Sequence, residues 1–217
     1  HLDTFGCIEN TTKTKFELIE SLPKDGVGFL NIDDEMQVNY KLKNKIKIVW
    51  YGLSSKADVY ATDIKYSYNG MSFKVHFKDD ENSYDFQTIL IGEANVYNIL
   101  AGIAVGRELG LTVKQLIEGV AKIRPIEHRL QVKNYGTITY IDDAYNSNPV
   151  GSKMALDVLK LMPGKKVIIT PGMIEMSDKQ YEVNYNFGKF IADSVDLAIL
   201  VGKEQTKPIQ EGIKDSK

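Results

Sequence analysis

The sequence predicts an α/β fold made of two consecutive units, and three observations support this interpretation. After Pro149, helical and strand-like patterns alternate, which is typical of a parallel sheet with helical crossovers. Before residue 141, the patterns indicate several strands, a hairpin and a pair of helices. The polar stretch IDDAYNSNP, residues 141–149, lies where one pattern gives way to the other. We therefore place a domain boundary between residues 141 and 142, with units 1–141 and 142–217.

The predicted elements of the first unit follow from short apolar runs, alternation and helical spacing. Asn69-Gly70 lies between two alternating segments and predicts a hairpin, because both residues of such a turn accept a positive φ. Thr112 and Gln115 have the spacing of a helix capping box. The predicted helices cover residues 9–22, 93–110 and 112–123. The predicted strands cover residues 27–32, 46–52, 58–77 (the hairpin) and 85–91, with two more around Tyr135-Gly136.

The second unit is predicted from a regular succession of elements. A strand-like segment follows each helical segment, and this alternation predicts parallel strands joined by helical crossovers. The succession is helix, strand, helix, strand over residues 151–162, 165–172, 181–195 and 196–202. Because the chain begins without methionine and ends soon after a strand, we expect it to be a fragment of a longer protein.

Composition limits the classes of function. The 217 residues are 43% hydrophobic and 26% charged, which is enough apolar material for a core. The net charge of −2 provides no general attraction for nucleic acid or an anionic membrane, and no apolar run is long enough for membrane insertion. Cys7 is the single cysteine, so a disulfide within the chain is excluded and a reducing compartment fits.

The stretch IDDAYNSNP gathers side chains that can bind a ligand. Asp142 and Asp143 follow a predicted strand, and the carboxyl ends of strands at domain boundaries are common ligand sites. Asn146 and Asn148 can each donate and accept hydrogen bonds. Any one of these residues is more often part of a turn or a helix N-cap. The whole cluster, at a predicted boundary, favours a functional site.

Amide and basic side chains precede this stretch. Asn95 and Asn98 are three residues apart near a predicted helix start, so they share one face and could bind a purine edge. On spacing alone, a capping asparagine and a surface asparagine are the better interpretation. Arg129 could bind a phosphate or a carboxylate, although a single arginine is more often part of a surface ion pair. The neighbouring His128 gives an equally weak signal.

The first fifteen residues offer further candidates but no strong pattern. His1, Asp3 and Glu9 could ligate a divalent ion, yet their spacing matches no established zinc motif. Lys13 and Lys15 follow on a predicted helix. The simplest interpretation of these residues is the solvated start of that helix. The pattern G-x-x-x-x-G-K-[ST] occurs nowhere in the sequence, so these 217 residues contain no P-loop to bind a nucleotide's phosphates.

Several stretches together resemble the Mur ligases, the ATP-dependent amide-bond-forming enzymes of peptidoglycan precursor synthesis. The most specific are DDAYNSNP and PGMIEM, which favour the type that adds D-alanyl-D-alanine over those that add alanine, glutamate or diaminopimelate. The resemblance implies the later part of a central ATPase domain followed by a partial Rossmann-like C-terminal domain. It would place the family's P-loop before His1. The other matching stretches are HLD with Gly6, Glu9 and Lys15, residues 92–98, and HRL at 128–130.

The resemblance also implies roles for residues of the first unit. His1 would ligate a magnesium ion, and Lys15, if carbamylated, would offer an anion to the same kind of hard cation. Asn95 and Asn98 would contact the adenine of ATP. Ala94 stands where the family usually has a histidine, so Asn98 is the safer of the two assignments.

Further implied roles fall around the predicted boundary. Arg129 would reach the nucleotide, and Asp143 would contact its ribose, with Asp142 as its neighbour. The remaining implied residues would face the cleft where the acyl phosphate meets the incoming dipeptide. They are Asn146, Ser147 and Asn148.

The function implied by the resemblance is amide-bond formation at the expense of ATP, with Mg²⁺, in the cytoplasm. The substrates would be a UDP-N-acetylmuramoyl-tripeptide and D-alanyl-D-alanine, and the full-length enzyme would be a monomer. One alternative is a related ligase such as folylpolyglutamate synthase or cyanophycin synthetase, against which DDAYNSNP argues. The other is a non-catalytic nucleotide-binding module, which the missing P-loop keeps open. We expect the 217-residue chain alone to be inactive.

Overall fold

The computed structural model describes residues 6–216, which form two compact units that divide between Arg124 and Pro125. Both units combine helices with strands, so the predicted α/β class is confirmed. The hairpin after Pro125 belongs to the later unit, whereas the predicted boundary lies after that hairpin, between residues 141 and 142. As a boundary between functional domains, the predicted position stays a prediction.

The first unit is built on a five-stranded mixed sheet in the order β1-β2-β3-β4-β5. β1, β2 and β3 are parallel, and β3, β4 and β5 form an antiparallel meander. Alternate residues of β4 are buried against the helices, as the sequence predicts. The strands are β1 (Val27–Asn31), β2 (Lys47–Gly52), β3 (Val59–Ser67), β4 (Gly70–Phe77) and β5 (Asp80–Thr88).

The hairpin between β3 and β4 is present, but its turn is not the one predicted. Ser67 pairs with Gly70, so the two turn residues are Tyr68 and Asn69, and Asn69 does not have a positive φ. Gly70 is needed for a different reason. A Cβ there would lie 2.2 Å from the carbonyl oxygen of Thr88 on β5, and the φ of +144° disfavours other residues.

The helices of the first unit complete its core. The apolar helix α3 packs on the sheet, and the capping box of Thr112 and Gln115 begins α4 as predicted. The core contains buried residues of β4, β5 and α3, including Phe73, Phe86 and Leu100. The helices are α1 (Ile8–Glu20), α2 (Glu35–Val38), α3 (Glu93–Glu108) and α4 (Val113–Lys122).

Contacts with the segment before β2 hold the last turns of α1. Phe16, the one buried residue of this helix, stacks on Tyr40 with ring centroids 3.8 Å apart. Glu20 accepts hydrogen bonds from the Tyr40 hydroxyl at 3.1 Å and from Lys43 Nζ at 2.8 Å. Asn44 Nδ2 donates to the carbonyl oxygens of Ile19 and Glu20 in the last turn of the helix.

The later unit contains an antiparallel hairpin, a parallel strand pair and three helices. β8 and β9 are parallel, with Val167 opposite Leu197, which confirms the parallel pairing predicted from helix–strand alternation. Their covered face joins a core around Leu156, Phe187 and Ile209. The elements are β6 (Gln131–Tyr135), β7 (Ile138–Asp142), α5 (Pro149–Leu161), β8 (Val167–Thr170), a 3-10 turn (Ser177–Lys179), α6 (Gln180–Ala192), β9 (Leu197–Leu200) and α7 (Lys207–Lys214).

The helices α6 and α7 approach each other closely through glycine. A Cβ at Gly212 would lie 2.0 Å from the carbonyl oxygen of Tyr185, so a larger residue would force the helices apart. No helix in the described part of the chain combines the length and apolarity that a bilayer crossing demands.

Candidate functional site

The register of the β6–β7 hairpin creates a cluster of charged groups around a buried carboxylate at the end of β7. Gln131 lies directly opposite Asp142, so Lys133 lies diagonally across from Asp142 on the same face. Asp142 is only 4% exposed, and its Oδ2 accepts a hydrogen bond from Lys133 Nζ at 3.0 Å. His128 Nδ1 lies 2.9 Å from the same oxygen and acts as the donor, because a carboxylate only accepts. The backbone N–H of Ala144 donates to Oδ1 at 3.4 Å.

These contacts keep Asp142 ionised. The Lys133 ammonium, and then the His128 ring, hold the pKa of Asp142 below its ordinary value, against the opposing effect of burial. The hydrogen bond to Asp142 in turn raises the pKa of Lys133. A buried carboxylate is stable in a protein only when its charge is matched by partners of this kind. Asp142 therefore has its hydrogen-bonding capacity largely used by protein groups.

Asp143, the next residue, has a different environment. Its Oδ1 accepts a hydrogen bond from the backbone N–H of Leu130 at 3.1 Å. Its Oδ2 has no hydrogen-bond partner among residues 6–216, so it can accept from a ligand hydroxyl. Burial raises the pKa of Asp143, and the Leu130 N–H and the Arg129 charge partly oppose that rise. Of the two aspartates, Asp143 is the one with a carboxylate oxygen that accepts no hydrogen bond from the described residues.

Arg129 lies in a constrained segment between Pro125 and β6. His128 and Leu130, on either side, have positive φ values of 62° and 45°, which non-glycine residues adopt only where other contacts enforce them. The guanidinium carbon of Arg129 lies 3.9 Å from the centroid of the Tyr145 ring, which is cation–π geometry. The structure thus brings Arg129, Asp142 and Asp143 together in one local cluster.

The residues between Tyr145 and α5 have more ordinary local roles. Asn148 is the N-cap of α5, and its side chain accepts from Gly151 N at 2.9 Å. Ser147 Oγ is 2.7 Å from the buried Ser152 Oγ. Asn146 is exposed. The predicted contact of these three residues with substrate stays a prediction, and their local geometry leaves Asn146 as the residue with its amide most available.

The PGMIEM segment follows β8 and is held by one buried amide. Asn184 on α6 is fully buried, and its Oδ1 accepts from Met173 N at 2.8 Å while its Nδ2 donates to Met173 O at 2.9 Å. Gln180 also donates to Met173 O. Gly172 adopts a φ of +82°, and a Cβ there would lie 2.6 Å from Asn184 Oδ1. The segment is therefore a loop with a conformation fixed by hydrogen bonds, at the carboxyl end of a parallel strand.

In the first unit, Asn95 and Asn98 lie near the start of α3 and are neighbours. Asn95 Nδ2 donates to Ile91 O at 2.8 Å, so this amide helps to shape the helix start. Asn98 is exposed, and its Nδ2 lies 3.4 Å from Asn95 Oδ1. The shared helix face predicted from their spacing is present. Asn98 retains more hydrogen-bonding capacity for a ligand than Asn95 does.

Two tyrosines with strongly raised pKa values surround the beginning of α3. Burial, then the charges of Asp33 and Glu93, raises the pKa of Tyr97 to about 12. Burial and the Glu93 carboxylate likewise raise the pKa of Tyr66 to about 12. Asp33 follows β1 and accepts from Leu53 N at 2.5 Å, just beyond β2. Tyr97 on α3 thus interacts with Asp33, which follows β1 and accepts a hydrogen bond from the residue after β2.

The predicted metal ligands are not assembled in the described residues. Lys15 is exposed on α1, as is Lys13, and His1 lies outside the described residues. Within residues 6–216, no group of three or more histidine, cysteine, aspartate or glutamate side chains could hold a metal ion. The metal assignment to His1 and Lys15 therefore stays a prediction.

Three residues that contact Asp142 or Arg129 were absent from the site predicted by sequence. Lys133 balances Asp142, His128 gave only a weak signal, and Tyr145 stacks on Arg129. The hairpin register was the available signal for Lys133, because a turn near Gly136 places it diagonally across from Asp142. No sequence pattern indicated the stacking of Tyr145, which depends on the path of the segment before β6.

The chain belongs to the Mur ligase family. Residues 1–106 match the Mur ligase middle domain, and residues 128–217 match the Mur ligase, glutamate ligase domain. One relative is the UDP-N-acetylmuramoyl-tripeptide–D-alanyl-D-alanine ligase of Escherichia coli K12. It is 27% identical over 208 residues, which are 94% of this chain and 46% of the relative.

Relatives named for another specificity match as well. The UDP-N-acetylmuramyl-tripeptide synthetase 2 of Oceanobacillus iheyensis is 33% identical over 207 residues, covering 92% of this chain and 41% of the relative. The chain thus spans less than half the length of these two curated relatives.

Solved structures share the fold over nearly the whole chain. MurF from Acinetobacter baumannii superposes with a TM-score of 0.89 at 24% identity, over 99% of this chain and 47% of that protein. MurF from Thermotoga maritima in complex with ADP gives a TM-score of 0.85 at 21% identity, over 96% of this chain and 48% of that protein. At these identities the likeness establishes the fold.

Proposed function

We propose that the protein containing this chain is an ATP-dependent ligase of peptidoglycan precursor synthesis. It would join D-alanyl-D-alanine to a UDP-N-acetylmuramoyl-tripeptide, in the cytoplasm and as a monomer. The observation that carries the proposal is the cluster at the end of β7, where Arg129 and Asp143 lie together beside the buried Asp142. The name of the Escherichia coli relative supports the choice of substrates, and the ADP complex of the Thermotoga maritima protein supports the choice of nucleotide.

The proposal assigns ATP contacts to the side chains with unused hydrogen-bonding capacity. Asn98, with Asn95 beside it, can pair with the donor and acceptor edge of adenine. Asp143 Oδ2 accepts a ribose hydroxyl, while Oδ1 stays bonded to Leu130 N. Arg129 presents a permanent positive charge and a planar set of donors, which suit a phosphate.

The proposed reaction proceeds in two steps that balance. A terminal carboxylate oxygen of the tripeptide attacks the γ-phosphorus of ATP, and ADP leaves, which produces an acyl phosphate. The neutral amine of the dipeptide then attacks the acyl carbon; the C–N bond forms, the C–O bond to phosphate breaks, and the amine loses a proton. Negative charge gathers on the transferred phosphate in both steps, and Arg129 lowers the barrier by stabilising that charge.

Magnesium enters this proposal only through Lys15 and His1. Lys15 as an ammonium would repel a cation, so it requires carbamylation to serve, and His1 lies outside the described residues. The described residues offer no metal-binding cluster of their own. We therefore assign no step to the metal. When bound, Mg²⁺ would supply charge neutralisation at the phosphates.

The test is product formation by the purified protein that contains this chain. With ATP and the UDP-linked tripeptide, we expect ADP and the pentapeptide product to form with D-alanyl-D-alanine, and to form far more slowly with L-alanine, D-glutamate or diaminopimelate. Mass spectrometry identifies the product, and omission of the dipeptide is the control. Preferential use of a single amino acid would instead assign the protein to another Mur ligase type, in line with its Oceanobacillus iheyensis relative.

A second candidate is a nucleotide-binding module without turnover. The P-loop pattern does not occur in the 217 residues, which keeps this alternative open for the chain as given. Calorimetric titration with ATP and ADP separates the two functions. Binding by the whole protein without release of ADP in the presence of both substrates would support the module and reject the ligase.

A further inference from the structure

Arg129 and Tyr145 form a contact that the proposed function does not yet explain. The guanidinium carbon lies 3.9 Å from the centre of the tyrosine ring. Tyr145 is 67% exposed and Arg129 is also exposed, so neither side chain is there to fill a core. A long exposed arginine normally samples many rotamers, and a ring under its planar face restricts that sampling.

Backbone contacts bracket this pair on both sides. Tyr145 N donates to His128 O at 3.2 Å, and Leu130 N donates to Asp143 Oδ1 at 3.1 Å. The residues before and after Arg129 are therefore each bonded to the segment that contains Tyr145. His128 and Leu130, which make these two hydrogen bonds, are also the residues with positive φ values.

The buried Asp142 holds the chain on both sides of Arg129. Its Oδ2 receives both His128 Nδ1 and Lys133 Nζ, so the residue before Arg129 and the strand after it are connected to the end of β7. The backbone at Arg129 and Tyr145 is consequently fixed at several points. Among the residues that the structure describes, the Tyr145 ring is the group that lies against the face of the guanidinium.

We propose that Tyr145 is a positioning residue, whose ring holds the guanidinium of Arg129 in the plane in which it binds the nucleotide. This inference rests on the proposed function, in which Arg129 contacts ATP. The chemistry requires such control because two parallel N–H donors of a guanidinium must align with phosphate oxygens for a bidentate contact. A lysine would not need it, because its ammonium acts as a point charge.

The kinetic test uses the protein that contains this chain and ATP as the varied substrate. We expect Tyr145→Ala to lower kcat/KM for ATP about fivefold, the size of effect that an exposed cation–π contact supplies. Tyr145→Phe keeps the ring and is expected to stay within about twofold of the wild type. In the Arg129→Ala background, Tyr145→Ala is expected to have no further effect, because a positioning residue acts only through its partner.

A matched control distinguishes positioning from general damage. Tyr135 lies on β6 in the same unit and is 66% exposed, nearly the same as Tyr145, but it stacks on no arginine among the described residues. Tyr135→Ala is expected to leave kcat/KM unchanged. Additive losses for Tyr145→Ala and Arg129→Ala, or a Tyr145→Phe variant as impaired as Tyr145→Ala, would overturn the inference.

A second measurement is independent of catalysis. In the protein that contains this chain, the side-chain Nε–Hε signal that disappears in Arg129→Lys is assigned to Arg129. We expect the Arg129 signal to show a ring-current shift and restricted motion, both lost in Tyr145→Ala and kept in Tyr145→Phe. If the protein forms no product, the proposed function fails, and these signals still decide whether Tyr145 orients Arg129. An Arg129 signal that is equally mobile with and without the ring rejects the inference.

Discussion

Two neighbouring aspartates at the end of β7 have opposite electrostatic environments. Hydrogen bonds from Lys133 and His128 lower the pKa of Asp142, so this carboxylate favours folding when it is ionised. Burial raises the pKa of Asp143, so its ionised form opposes folding. An isosteric amide at each position should therefore affect stability in different directions.

We expect Asp142→Asn to destabilise the protein at neutral pH, because it leaves Lys133 and His128 without their anion. Asp142 has a lowered folded-state pKa, so its contribution is present above the unfolded pKa of about 4 and is lost as pH falls through the folded pKa. The difference between wild type and variant should then shrink on acidification. Thermal unfolding from about pH 7 down to pH 3 measures it.

Asp143→Asn serves as the paired comparison. The amide oxygen can still accept from Leu130 N, and the burial penalty on the charge disappears, so we expect no loss of stability at neutral pH. Asp157→Asn on α5 is the control, because its ion pairs with Lys153 and Lys160 are exposed and contribute little. Equal destabilisation by Asp142→Asn and Asp143→Asn would show that the two environments do not differ as described.

At the level of elements, the α4 capping box gives a prediction that follows from the sequence and the structure together. Thr112 Oγ1 accepts from Gln115 N, and Gln115 Oε1 accepts from Thr112 N. Thr112→Ala should reduce the free energy of unfolding by about 1 kcal/mol, whereas Thr112→Ser should retain most of it. Thr139→Ala, at an exposed strand position in the later unit, is the control. Urea unfolding followed by fluorescence of Trp50 measures the difference, because Trp50 lies in the same unit as α4.

The sequence predicted elements well where local chemistry decides them. Alternation on β4, the capping box of α4 and the parallel pairing of β8 with β9 are all confirmed. The turn of the first hairpin was placed one residue late, because the close approach of β5 selects Gly70 rather than a positive φ at Asn69. That requirement comes from a third strand and is invisible in the hairpin sequence itself.

The candidate site was predictable in its residue types and less so in its contacts. DDAYNSNP and the resemblance identified Asp142, Asp143 and Arg129, and the structure brings these three together. Which aspartate keeps an unused oxygen depends on Lys133 and His128, which approach through strand register and backbone path. The assignment of Asn148 to substrate competes with its observed role as the N-cap of α5.

At the scale of the whole molecule, the described residues contain two hydrophobic cores with no member in common. One is formed by residues of the sheet β1–β5 with α3 and α4, and includes Leu100. The other is formed around β8, β9 and the helices α5, α6 and α7, and includes Leu156. Each core lies within one of the two compact units. Residues that share a hydrophobic core unfold cooperatively. Two separate cores therefore predict two unfolding transitions, each sensitive to mutations in its own core.

A single tryptophan makes this prediction testable. Trp50, the only tryptophan of the 217 residues, lies on β2, so its fluorescence follows the first unit, whereas far-ultraviolet circular dichroism follows both. Leu100→Ala should lower the free energy of the fluorescence-detected transition by about 2–5 kcal/mol, the usual range for a buried leucine. Leu156→Ala, at an equally buried position, should shift only the dichroism transition that fluorescence does not detect. If Leu156→Ala moves the Trp50 transition as far as Leu100→Ala does, the two units unfold as one cooperative body, and the division into independent cores is wrong.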